Sequence, residues 1–217
     1  MSQPMGQPQS NPWQRARRSD GPPGPQPPQQ PQPPPGPSQP LGPVAPQLGV
    51  PIPDAAERLP QFAIPAADTL WWVGTHGGAG ETTMSRLLPG TMASGHRWPI
   101  PPPPVPTPIV LVARTHASGL RAAQRAATEW ASGIVNGISV LGLVLIADAP
   151  GRLPRVLDDF ADVVGGGVPR VWEIPWIEEW RRGEEPNPEN TPDEVFEVLE
   201  SIYALRASNP PANPAAY

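Results

Sequence analysis

Trp71-Trp72-Val73-Gly74-Thr75-His76-Gly77-Gly78-Ala79-Gly80-Glu81-Thr82-Thr83 decides how the rest of the chain is read. It predicts an apolar strand, a glycine turn and the first turn of a helix, which is the architecture of a phosphate-binding loop. In such a loop the backbone N–H groups point inward and the following helix adds its positive N-terminal end, so a polyphosphate is held without side chains. A working loop also places a Lys just before the Ser/Thr pair to reach the β- and γ-phosphates, with the hydroxyl on Mg²⁺. Here that slot holds Glu81. The cradle is kept and its charge is reversed.

No Lys stands elsewhere to replace it, because all 15 basic residues are Arg. Arg114, or an Arg from a partner, is the remaining source of positive charge. At an effective dielectric of about 20, a unit charge roughly 5 Å away is worth ~3 kcal/mol. Exchanging attraction for repulsion therefore removes ordinary micromolar binding of a polyphosphate. The structural alternative is that Glu81, as an acid in a first turn, stabilises its own helix by ~0.3–1 kcal/mol.

His76-Gly77-Gly78-Ala79-Gly80-Glu81-Thr82-Thr83 resembles the deviant Walker A loop of the ParA/MinD class of P-loop ATPases, whose pattern is Lys-Gly-Gly-x-Gly-Lys-Thr-Thr. The glycines and both threonines match, and the two lysines are replaced by His76 and Glu81. The close match is motif-sized, and the order of elements follows loosely to residue 183. The chain also resembles an uncharacterised bacterial family that carries this loop, with Ala147-Asp148-Ala149-Pro150-Gly151-Arg152-Leu153-Pro154 and Pro175-Trp176-Ile177-Glu178-Glu179-Trp180-Arg181 downstream. The first resemblance implies a reduced P-loop NTPase-like domain. Working members of that class dimerise around ATP and position DNA, plasmids or protein machines.

Composition limits the folded part to one ordinary domain, since 38 prolines and 21 glycines lie among 217 residues. A net charge of -5 excludes a globally basic nucleic-acid surface, and Arg15, Arg17 and Arg18 form only a small cluster. With no cysteine, disulfides and thiolate metal sites are excluded. His76, His96 and His116 are the sole imidazoles; His76 and His116 each follow a predicted strand and are expected to approach one another, but no zinc-type spacing accompanies them and no metal is expected. The longest apolar run, 138–147, is far short of a membrane span, so a cytoplasmic protein is expected.

Residues 1–66 read as a disordered Pro/Gln-rich arm with polyproline II character, a spacer or a ligand for aromatic grooves. Residues 67–206 read as the α/β domain: a strand at 68–73, a helix at 81–88, and a Pro-rich insert loop at 89–108 where the middle of a ParA-type domain is deleted or replaced. Further strands are predicted at 109–113, 140–147 and 170–174, the first of them apolar throughout as in a strand buried on both faces. Ser118 is the expected cap of a helix with Leu120, Ala123, Ala127 and Trp130 inward and Arg121, Arg125 and Glu129 outward. Pro154 opens a helix to Val164 with Val156, Leu157, Phe160 and Val163 inward. Thr191-Pro192-Asp193-Glu194 is a capping box before a last helix carrying Val195, Val198, Leu199, Ile202 and Leu205, and 207–217 is a disordered tail. Strands alternating with helices give a three-layer, mostly parallel sheet.

Ligands of open parallel sheets gather at the carboxyl ends of strands. That rule puts Gly74, Thr75, His76, Gly77, Gly78, Ala79, Gly80, Glu81, Thr82 and Thr83 on one rim with Arg114, His116, Asp148 and Arg152. Asp148 reads in three ways: a Walker B or switch II carboxylate holding Mg²⁺ near Thr82, a strand end on the base side of a ParA/MinD-type site, or a turn cap before Pro150. No catalytic residue is assigned, since no second carboxylate pairs with Asp148 and Ser118 lies too close to His116 for a nucleophile elbow. Trp172, Trp176 and Trp180, interleaved with Pro169, Pro175, Arg181 and Arg182, supply either core or a Trp/Pro surface for peptide docking. The expectation is a non-hydrolysing interaction or regulatory module without a cofactor, with a protein partner reached through the Pro-rich arm or segment 169–182, no direct nucleic-acid or membrane contact, and a dimer left open. The alternative is ATP or GTP with Mg²⁺ on a site completed by an Arg from a partner.

Overall fold

The computed structural model describes residues 42–208, so 1–41 of the expected arm and 209–217 of the expected tail lie outside the described residues. The elements are β1 (Gln61–Ala63), β2 (Leu70–Gly74), α1 (Glu81–Leu87), β3 (Thr91–Ala93), β4 (Trp98–Ile100), β5 (Thr107–Arg114), α2 (Ala117–Ala131), β6 (Ile138–Ile146), α3 (Arg155–Gly165), β7 (Val171–Ile174), α4 (Glu178–Arg181) and α5 (Asp193–Ser208). Five strands form one sheet in the order β3-β2-β5-β6-β7, and every neighbouring pair is parallel.

Side chains alternate across a strand, and the two faces of this sheet are both apolar. Trp71, Val73, Ile109, Leu111 and Ala113 meet α2 and α3 through Leu120, Ala123, Ala127, Trp130, Ala161 and Val164. Leu70, Trp72, Val110 and Val112 meet α1 and α5 through Met84, Val195, Leu199 and Ile202. The domain is thus a three-layer α/β sandwich. Ile109, Val110, Leu111 and Val112 are wholly buried, each worth up to about 1.5–3 kcal/mol of transfer free energy. An extra residue in β6 shifts the register between Ile109 and Val110, which turns Leu141 to the α5 face while Val140 and Leu143 keep the other.

Several expectations need correction. The stretch 89–108 is not one loop, because it contains β3 and β4. β3 pairs with β2, held by the Trp72 indole N–H donating to Thr91 Oγ1 at 2.8 Å. β4 pairs with β1, which lies inside the stretch expected as disordered arm. Trp98 is wholly buried there, Phe62 meets Trp71 edge-on at 5.5 Å, and the Arg97 Cζ lies over the Phe62 ring at 4.4 Å from its centroid. These apolar contacts offset the ordering of a segment whose composition alone suggests a spacer.

His116, not Ser118, caps α2: its Nδ1 accepts the Gly119 N–H at 2.9 Å. Glu129 turns inward, 1% exposed, and accepts the Leu59 N–H at 3.0 Å. In α3 the buried stripe is Ala161 and Val164 with Leu157 and Phe160 packed beside them, while Val156 and Val163 are exposed. One residue is about 100° of helix, so the neighbouring apolar positions face solvent. In α5 the core face is as expected, but the Thr191 hydroxyl is buried and has no partner among the described residues.

Candidate functional site

The chain leaves β2, adds β3 on one side, and then returns past β2 to lay down β5 on the other. That reversal is the topological switch point of a doubly wound sheet, and the crevice for a ligand opens beyond the two strand ends that flank it. The turn from Thr75 to Gly80 follows β2, and Thr115 and His116 follow β5, so the sequence-defined loop stands at the switch point.

Thr75 ties the loop to the sheet, its N–H and its hydroxyl both donating to Val112 O, at 2.9 and 3.2 Å. The His76 ring bridges the strand ends. Its Nε2 accepts the Arg114 N–H at 3.1 Å and its Nδ1 lies 2.9 Å from Gly77 O, a pattern that requires a neutral ring with the proton on Nδ1. Burial holds the His76 pKa below its usual range; the Gly77 carbonyl opposes this, and His116, His96 and Arg114 add to it. The His76 and His116 rings are 5.1 Å apart, as their strand-end positions suggested. Gly80 carries φ 108° at the N-cap of α1, a left-handed backbone that favours glycine, and a Cβ there would strike Ile146.

Glu81 is the first residue of α1 and is 6% exposed. Its carboxylate turns back beneath the loop, where Oε2 accepts the Gly74 N–H and Oε1 lies 3.3 Å from His96 Nδ1. A Cβ on Gly74 would come within 2.6 Å of that carboxylate and 2.7 Å of the His96 ring. His96 has φ 58°, left-handed for a residue with a Cβ, at a cost of about 1–2 kcal/mol. Its ring is fixed by Gly74 O at 3.2 Å as well as by Glu81. His96 enters from the β3–β4 connection, so nothing in the loop sequence announces it.

Arg114 spans the rim, its Nη1 donating to Ala147 O at 3.0 Å and its Nε facing Gly78 O at 3.4 Å. Burial lowers its pKa, nearby Arg181 lowers it further and Asp148 opposes them. His116, Asp148 and Arg152 line a separate cavity of about 730 Å³ beyond β6 and β7, together with Glu173 and Trp176. Thr82 is exposed and Thr83 half-buried, away from Asp148's cavity lining. The Ser118 hydroxyl is 2.9 Å from His116 Nδ1, but that nitrogen already accepts the Gly119 N–H, so the pair serves as a helix cap. Among the described residues no group of three His, Asp or Glu side chains could hold a metal ion, and no helix is long and apolar enough to cross a membrane.

Fold and site together define a doubly wound α/β domain with a glycine turn at its switch point, closed from beneath by an acid. The chain belongs to the family of unknown function DUF6668, whose model matches residues 68–199 and so includes the loop, His96 and the rim. No curated protein and no solved structure matches it.

Proposed function

We propose that this chain is a degenerate ParA/MinD-like P-loop protein that does not hydrolyse nucleotide and acts as an interaction or regulatory module. One observation carries the reading: the slot of the phosphate-sensing Lys holds Glu81, and its carboxylate is spent on the Gly74 N–H and His96. A cation at that position attracts the transferred phosphoryl group, whereas this acid braces the turn. Arg114 reaches the loop, but its Nη1 and Nε are directed at the carbonyls of Ala147 and Gly78 and so do not offer those donors to an anion. The same proposal places the chain in the cytoplasm without a resident cofactor.

The second reading is an ATP- or GTP-binding protein, with Mg²⁺, completed by an Arg from a partner. It is favoured by the N–H groups of Gly77 and Gly78, which meet no acceptor among the described residues. Calorimetric titration of the full chain with ATP and Mg²⁺, paired with a phosphate-release assay, separates the two. The proposal expects no saturable binding at micromolar nucleotide and no turnover. Turnover by the wild-type chain that disappears in Glu81→Ala would overturn it.

A further inference from the structure

An apolar groove of about 380 Å³ lies between the chain leaving α1 and one side of α5. Leu87, Leu88 and Pro89 form one wall, Phe196 and Tyr203 the other, and Glu200 is its one charged residue. Phe196, Glu200 and Tyr203 stand at i, i+4 and i+7 and so share one stripe of the helix. Tyr203 is 54% exposed, and its hydroxyl meets no partner among the described residues.

The spacing of the two rings selects a ligand conformation. Seven residues of α-helix are about 10.5 Å along the axis. A polyproline II strand advances about 9.3 Å per three-residue turn and leaves its carbonyls free. Prolines one turn apart therefore meet successive aromatic rings, and a free carbonyl suits the Tyr203 hydroxyl as an acceptor.

We propose that residues 209–217 turn back at the end of α5 and dock in this groove as a polyproline II strand, so that the chain supplies its own ligand. That stretch reads Asn209-Pro210-Pro211-Ala212-Asn213-Pro214-Ala215-Ala216-Tyr217, with Pro-x-x-Pro spacing at 211–214 and no charged side chain. Asn209 before Pro210 disfavours further helix and favours a turn. With those two residues making the reversal, 211–217 cover about 19 Å as polyproline II. The return along α5 from Ser208 to Phe196 is about 18 Å. This register puts Pro214 beside Tyr203, Ala215 beside Glu200 and Tyr217 beside Phe196. A tether this short gives an effective concentration on the order of mM. The N-terminal proline-rich arm is placed less well. It enters the described fold at Gly42, whose N–H meets Pro169 O at 3.5 Å beside Val168 of the α2–α3 core, while the groove belongs to the α1–α5 side. Docking is independent of what the glycine turn binds, so failure of either reading leaves the other standing.

Disulfide trapping in the full chain tests the docking, since the sequence has no cysteine of its own. Ala215→Cys is combined with Glu200→Cys in the groove, or with Glu197→Cys, an exposed position outside the lining and about 100° round the helix from Phe196. In a glutathione buffer the groove pair should close at least about tenfold faster than the outer pair, at a rate independent of protein concentration. Tyr203→Ala should remove most of that preference. So should Pro211→Ala combined with Pro214→Ala, which leaves the residues of the described fold unchanged. Equal closure of the two pairs, or a preference that survives both sets of variants, would overturn the proposal. Closure that quickens with protein concentration or yields linked dimers would overturn it in favour of a second copy's segment. Loss of the preference on adding about one equivalent of a peptide of residues 22–36 would assign the groove to the arm instead.

Discussion

The Glu81 carboxylate accepts the Gly74 N–H across the whole glycine turn, so the last residue of β2 and the first of α1 are joined by a single side chain. The turn therefore supplies its own anion. The contact braces the turn from within.

Glu81→Ala leaves the buried Gly74 N–H without an acceptor and should cost about 1–3 kcal/mol in urea denaturation. Glu81→Gln keeps a carbonyl oxygen for the amide and should cost less than Glu81→Ala. Equal losses would mean that the charge beside His96, and not the hydrogen bond, matters most.

Gly74→Ala drives a methyl against Glu81 and His96 and should destabilise by about 1–3 kcal/mol. In the Glu81→Ala background the contact with the carboxylate is gone and only the His96 ring still meets the methyl, so the two losses should fall short of additive by at least about 0.5 kcal/mol. A double-mutant cycle by chemical denaturation measures this directly.

Two titrations pull stability in opposite directions as pH falls. His76 has a depressed pKa when folded, so the unfolded chain binds the extra proton between the usual imidazole value and the lower native one; its contribution is complete above that window and lost as pH falls through it. Glu129 is pushed up by burial, with the Trp98 indole, the Leu59 amide and Arg58 opposing, so its contribution is complete below the usual carboxylate range and lost as pH rises through the native value. His76→Asn should reduce the loss of stability between pH ~7 and ~5, and Glu129→Gln should reduce the loss on raising pH from the carboxylate range toward neutrality. Thermal unfolding of both variants across that range tests each sign.

The segment holding β1 lies outside the family-matched residues yet inside the core. A chain beginning at residue 67 loses β1, the Phe62–Trp71 contact and the amide bound to Glu129, and it uncovers Trp98. A lower midpoint with a smaller denaturant slope is expected, since less surface is then buried on folding.

The parallel sheet was legible because β5 and β6 are apolar at nearly every position, which only burial on both faces explains. The glycine turn was legible for the same kind of local reason, as Gly78 and Gly80 carry positive φ. β1 and β4 were not, being three residues each, one interrupted by Pro99, and each depending on a partner distant in the chain. α3 offered two apolar stripes a residue apart, Val156 with Val163 and Leu157 with Val164, and its own periodicity does not choose between them. Glu129 and His96 were missed for one reason: each is held by a backbone group from another part of the chain, the Leu59 N–H and the Gly74 carbonyl.

The outermost strands of the main sheet, β3 and β7, are three and four residues long. A second molecule approaching either border would find too few free amides and carbonyls to template a continuing ribbon. Crowded solutions of the folded chain should therefore stay clear of cross-β fibrils, and seeding would first require the sandwich itself to come apart.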